Sequence, residues 1–198
     1  MILSLKLNAA AADNCLTLAE AKAELRVESS ADDSPIALKL DAAERLVEEY
    51  CNRRFMLSTY DFTLSAWPER GITLPLSPVV SIVSVKYYDS SNVQQTWAST
   101  NYHYNADSDP TLISYVNDTP AVYDNRTDAI TVQFKVGYSS SETTATQQAA
   151  VPPPLKQAIL KVLTDIYYNR GDGVREKMSA WQTFAYPYRV FHFPVEND

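Results

Sequence analysis

Val151-Pro152-Pro153-Pro154-Leu155-Lys156-Gln157-Ala158-Ile159-Leu160-Lys161-Val162-Leu163-Thr164-Asp165-Ile166-Tyr167-Tyr168-Asn169-Arg170 is the stretch that decides the fold. Proline lacks the N–H and clashes with the preceding turn, so three prolines in a row enter a helix and do not continue one. After them Leu155, Ile159, Val162 and Ile166 fall on one face, widened by Leu163 and Tyr167. Lys156, Lys161 and Asp165 point the other way. Gly171-Asp172-Gly173 supplies the stop, because glycine tolerates the left-handed conformation after a helix. Such a stripe needs a partner, and the best one lies more than a hundred residues upstream.

That partner is read from residues 33–52. Asp33 or Ser34 is the expected cap and Pro35 fits the first turn. Ile36, Leu40, Ala43, Val47 and Tyr50 repeat at four-three spacing, the seam of a packed helix pair, and Leu38 and Leu46 broaden it. Glu44, Glu48 and Glu49 are assigned to the wet side. Arg53 and Arg54 close the helix at the negative end of its dipole. Upstream, Thr17-Leu18-Ala19-Glu20 is a capping box opening a short helix to about Val27. Residues 1–15 read as a loose leader.

From Phe55 the period changes to two. Thr59–Leu64, Ile72–Leu74, Val80–Tyr88, Val93–Trp97, Tyr102–Tyr104, Leu112–Tyr115 and Ala129–Val136 are the expected strands. In Val80–Tyr88, the residues Val83, Val85 and Tyr87 are expected on one face. Leu74-Pro75-Leu76-Ser77-Pro78 is excluded from any central strand by its prolines. Ser139–Gln148 is rich in Ser, Thr and Gln and reads as mobile loop. The fold class is therefore α+β. N-terminal helices (residues 1–54) and a C-terminal helix (151–185, with a short helix in 174–185) form a small bundle. An antiparallel β domain (55–138), sandwich or rolled sheet, is inserted, followed by a flexible linker (139–150). Residues 186–198 form an aromatic tail that either packs on its own chain or adds to another.

Composition narrows the function. The net charge of the 198 residues is −7, and the β stretch is the most acidic part, with nine acids against four bases in 55–150. Without a basic patch, sequence-specific nucleic-acid binding is disfavoured, and an acidic surface lets DNA pass without sticking. No apolar run is long enough to cross a bilayer, and the first residues do not read as a signal peptide. Use in a cytoplasm is expected, with Cys15 and Cys51 as buried reduced thiols.

No catalytic constellation is legible. Four glycines rule out a phosphate-cradling loop. His103 and His192, the only two histidines, have no nearby orienting partner for nucleophilic catalysis. Together with two cysteines they lack the short ligand spacing of a zinc site. Asp107-Ser108-Asp109 lacks the later glycine and glutamate of a calcium loop and reads as an acceptor-rich turn. The expectation is no catalytic, cofactor or metal site and no enzyme. The positive signal is tyrosine, 13 of them, because tyrosine is enriched at interfaces. Tyr186, Tyr188, Arg189, Val190 and Phe191 are the expected partner-docking residues.

The order of these elements resembles the head–tail connector (head-completion or adaptor) proteins of long-tailed bacteriophages and prophages. The resemblance is carried by Leu16-Thr17-Leu18-Ala19-Glu20-Ala21-Lys22, Val47-Glu48-Glu49-Tyr50-Cys51-Asn52-Arg53-Arg54-Phe55, Leu74–Val85, Val136-Gly137-Tyr138, Val151–Ile159 and Tyr188-Arg189-Val190. It implies a structural subunit, twelve copies of which ring the DNA channel below the portal protein and dock the downstream head-completion or tail proteins. It implies location in the virion neck, with host cytoplasm during assembly, no membrane, and DNA passing through the lumen unbound. A competing reading is a phage β module binding carbohydrate or a host-surface ligand, with Trp67 and Trp97 as stacking platforms. A hydrolase is the third.

Overall fold

The capping box forms as written. In a computed structural model, which describes residues 3–169 and 180–191, the Glu20 N–H donates to Thr17 Oγ1 at 3.2 Å. The Thr17 N–H donates back to Glu20 Oε2 at 2.7 Å. Two otherwise unpaired amides are thereby satisfied. Helix α1 (Leu18–Leu25) follows and ends on Arg26 in the left-handed region. Helix α2 (Asp33–Cys51) starts one residue earlier than expected. Asp32 is its cap residue but makes no side-chain cap bond. The Asp33 carboxylate takes an ion pair with Lys22 at 2.6 Å instead, which ties α2 to α1.

Helix α4 (Pro153–Tyr168) places its stripe against α2. Leu155, Ala158, Ile159 and Leu163 are fully buried in one cluster with Ile36, Leu40, Ala43 and Val47. Each leucine, isoleucine and valine among them contributes roughly 1.5–3 kcal/mol of hydrophobic stabilisation. The helix ends at Tyr168, and the glycines expected to stop it lie outside the described residues. So does the first half of the short helix expected in 174–185, of which α5 (Ala180–Ala185) is described. Trp181 of α5 meets Tyr50 edge-on at 5.1 Å.

The β part is two antiparallel sheets over a second cluster. The larger has the order β1-β2-β8-β4-β5 and the smaller β3-β7-β6. Their strands are β1 (Leu3–Ala9), β2 (Ser58–Leu64), β3 (Ile72–Thr73), β4 (Val79–Tyr88), β5 (Gln94–Trp97), β6 (Tyr102–Tyr104), β7 (Leu112–Tyr115) and β8 (Ile130–Val136). Strict alternation in β2 and β8 buries Tyr60, Phe62, Leu64, Ile130, Val132, Phe134 and Val136. Gly137 ends β8 at φ +146°, where an added Cβ would stand 3.0 Å from the Leu57 backbone. Only glycine fits that turn.

Four expectations are corrected. Residues 1–15 are not a loose leader. Leu3–Ala9 is a strand paired antiparallel with β2, because Leu3-Ser4-Leu5-Lys6-Leu7 alternates and β2 offers a free edge. Ser139–Gln148 is not loop throughout either, since Thr144–Ala150 is helix α3. Its Gln147 is buried, accepting from the Leu57 N–H at 2.9 Å and donating to Ser141 O at 2.8 Å. Val83 does not share a face with Val85. The pairing of β4 with β8 slips between Ile82 and Ser84, and this bulge turns Val83 out, 49% exposed, while Val85 is fully buried. Finally, Glu44 and Glu48 are not on a wet side: they are buried, and Leu38 and Leu46 are exposed.

Candidate docking surface

The C-terminal end of α2 gathers the elements that hold the last described segment. Asn52 adopts φ 54°, which ends the helix and turns its side chain to the tail. Asn52 Nδ2 donates to Val190 O at 2.9 Å, and the Val190 N–H donates to Cys51 O at 2.9 Å. Arg53 Nε donates to Tyr188 O at 2.5 Å, and its guanidinium pairs with Asp109 of the β part. Arg54 Nε donates to Tyr60 Oη at 2.7 Å and its Nη2 to Glu49 Oε1 at 2.7 Å. The two arginines therefore do more than answer a helix dipole. They bind α2 to β2, to the Asp109 loop and to the tail.

Beneath them the carboxylate of Glu48 collects donors. It accepts from the Phe55 N–H at 2.7 Å and from Arg45 Nη1 at 2.9 Å, with Arg54 at 3.8 Å. One turn earlier Glu44 Oε2 accepts from the Cys15 N–H at 2.9 Å. Burial raises the pKa of both carboxyls, that of Glu44 to about 7 despite the Cys15 bond. Burial also pushes Cys51 up to about 11 and Cys15 higher still, so neither is a thiolate nucleophile at neutral pH.

The expected docking residues divide. Val190 is buried, packed on its own chain, and Tyr188 is half-buried. Tyr186 and Phe191 are 53% and 45% exposed and meet edge to face at 6.3 Å. The Arg189 guanidinium lies 4.9 Å from the Tyr50 ring and 5.0 Å from the Phe191 ring. Val190 and its backbone clip the segment down on its own chain, and Tyr186, Arg189 and Phe191 are left exposed. Phe193 and His192 lie outside the described residues.

The residues of the competing readings are not brought together. Trp97 is buried and Trp67 packs against it at 4.8 Å, against Tyr115 at 5.8 Å, and donates to Pro120 O. These rings fill the β core and offer no free stacking platform. A shallow cleft between Pro78–Val80, Ala106–Asp109 and Gly137–Ser140 holds two aspartates but no histidine, cysteine or lysine. Asp109 there is already paired with Arg53. Among the described residues no three of His, Cys, Asp and Glu gather as a metal site, and no helix is long and apolar enough to cross a membrane.

Residues 15–114, 100 of the 198, match the phage gp6-like head-tail connector family. The chain belongs to this family of head–tail connectors. The solved structures similar to it include a chain in the neck of an empty gene transfer agent particle computed with C6 symmetry. That likeness has a TM-score of 0.80 at 20% identity, over 96% of this chain and 97% of that one. A chain in the native particle's virion (0.78, 21%, 96% of each) and one in its neck computed with C12 symmetry (0.77, 20%, 96% and 97%) share the fold. No curated protein matches the sequence. The connector role is structural.

Proposed function

We propose that this chain is a neck subunit that closes into a ring of twelve copies below the portal, lengthens the DNA channel and docks the tail side. The observation that carries this is the likeness over 96% of the chain to subunits of particle necks solved with C6 and C12 symmetry, within a connector family. The net charge of −7 supports a lumen that DNA traverses without being held. The exposed face of Tyr186, Arg189 and Phe191, with half-buried Tyr188 beside it and anchored by Val190, is the contact to the portal or the next neck protein. No catalysis is part of the role. Assembly takes place in the host cytoplasm and the product is the virion neck.

The test is mass. The purified chain, alone and mixed with its portal, is sized by light scattering and imaged end-on. A ring in either sample is expected; a monomer in both removes the reading.

A further inference from the structure

Besides the aromatic face of the C-terminal segment, two further apolar strips are exposed on the described surface, and they are unlike. The first belongs to β1. Leu5 stands opposite Phe62, Phe62 opposite Val132, Val132 opposite Val85, and Val85 opposite Trp97. Paired residues share a face, so Leu5 continues a row of the core. Along that row exposure climbs from 0% at Val132 to 5% at Phe62 and 38% at Leu5, and Leu7, opposite Tyr60, reaches 43%. The other face of β1 is polar, with Asn8 Nδ2 donating to Asp61 at 2.8 Å. The core face of the sheet runs on past its cover, at a strand whose outer edge has no partner in the sheet.

The second strip is on α2. Leu38, Ala42 and Leu46, one turn apart, are all exposed, Leu38 at 72%. They sit on the side turned away from Leu40, Ala43 and Val47.

We infer that the leucine face of β1 in one copy is covered by the Leu38–Ala42–Leu46 strip of the next copy. This rests on the ring reading above. Cyclic symmetry joins copies head to tail, so each must present two different surfaces that fit one another. A helix stripe on a sheet face is an ordinary layer contact. The helix strip fits within the strand: the eight rises from Leu38 to Leu46 span about 12 Å, inside the roughly 20 Å of the seven strand residues.

The test is a charge swap on the full chain. Leu7→Lys and Leu38→Glu are made singly and together, and followed by sedimentation at rising concentration and with the portal present. Both sites are exposed, so circular dichroism and melting should match the parent; Leu5→Lys with Leu46→Glu is a second pair on the same strips. Each single variant should lose the large species, and the double variant should regain it. Single variants that assemble like the parent overturn the assignment and leave the ring standing. Loss without recovery in the double variants overturns the pairing of these two strips. Self-association kept while another particle protein is lost gives the strips to that protein instead. A parent chain that never associates removes the ring itself.

Discussion

The two faces of α2 are opposites of what polarity alone dictates. The inner face carries Ile36, Leu40, Ala43 and Val47, but also Glu44 and Glu48, 5% and 2% exposed; the outer face carries Leu38 and Leu46. A buried carboxylate costs several kcal/mol unless donors meet it. Here the donors are the Cys15 and Phe55 amides and Arg54 from outside the helix, and Arg45 from α2 itself. The outer leucines meet nothing comparable inside the chain. A side chain's place on this helix is set by what the neighbouring segments offer, and what is left over stays exposed.

The inner face is tested most severely through its partner. Ile159 of α4 is fully buried in the cluster shared with α2. Ile159→Asp leaves an unpaired charge there and should cost about 4–5 kcal/mol, enough to abolish the native melting transition. An unchanged transition would show that the two helices are not held by this face.

A subtler break uses pH. The Glu44 carboxyl is raised from 4.5 to about 7 by burial first, with the charge of Glu48 adding to it. Between these values the folded chain holds a proton that the unfolded chain has released. Stability from this group is therefore complete below about pH 4.5 and falls as pH rises toward 7. The gap, at about 1.4 kcal/mol per pH unit, amounts to on the order of 3 kcal/mol. Glu44→Gln keeps an acceptor for the Cys15 amide without the charge. It should be more stable than the parent by that order at pH 8 and equal at pH 4, measured by urea unfolding. The difference between the two proteins isolates Glu44 from carboxyls such as Glu20, whose lowered pKa has the opposite slope. A constant difference across the range would place Glu44 in water.

Most elements were legible where one local rule decided them. The capping box at Thr17, the proline entry at Pro153 and the alternation in Thr59–Leu64 and Ile130–Val136 each act over a few residues and are read directly. What escaped depends on distant partners. Leu3–Ala9 alternates plainly, yet Leu5 and Leu7 stay exposed, and only the free edge of β2 makes it a strand. Thr144–Ala150 looks like linker by composition, and Gln147 fixes it by reaching the Leu57 amide 90 residues upstream. The bulge at Val83 has no glycine to announce it. Glu48 reads as surface until the Phe55 amide and Arg54 are folded back over it. Of the docking residues, the aromatic composition was legible, but not that Val190 faces inward, because the acceptor for its amide is Cys51, far back in the chain.

The smallest expected effect lies where the two faces of α2 meet. Tyr50 is half-buried at that border, with Trp181 on one side and the Arg189 guanidinium 4.9 Å from its ring. Such exposed cation–π contacts contribute about 0.5–1 kcal/mol each. Arg189→Ala should thus lower stability by about 1 kcal/mol at most, since Val190 and the Asn52 and Arg53 bonds to the backbone still hold the segment. Docking should suffer more. If the outward face formed by Tyr186, Arg189 and Phe191 is a contact centre, losing its cation should weaken binding to the portal roughly tenfold, about 1.4 kcal/mol. A binding titration of both forms against the portal decides it. Equal affinity with a slightly lowered melt would leave Arg189 as a clasp on Tyr50, and the outward face of this segment without a partner there.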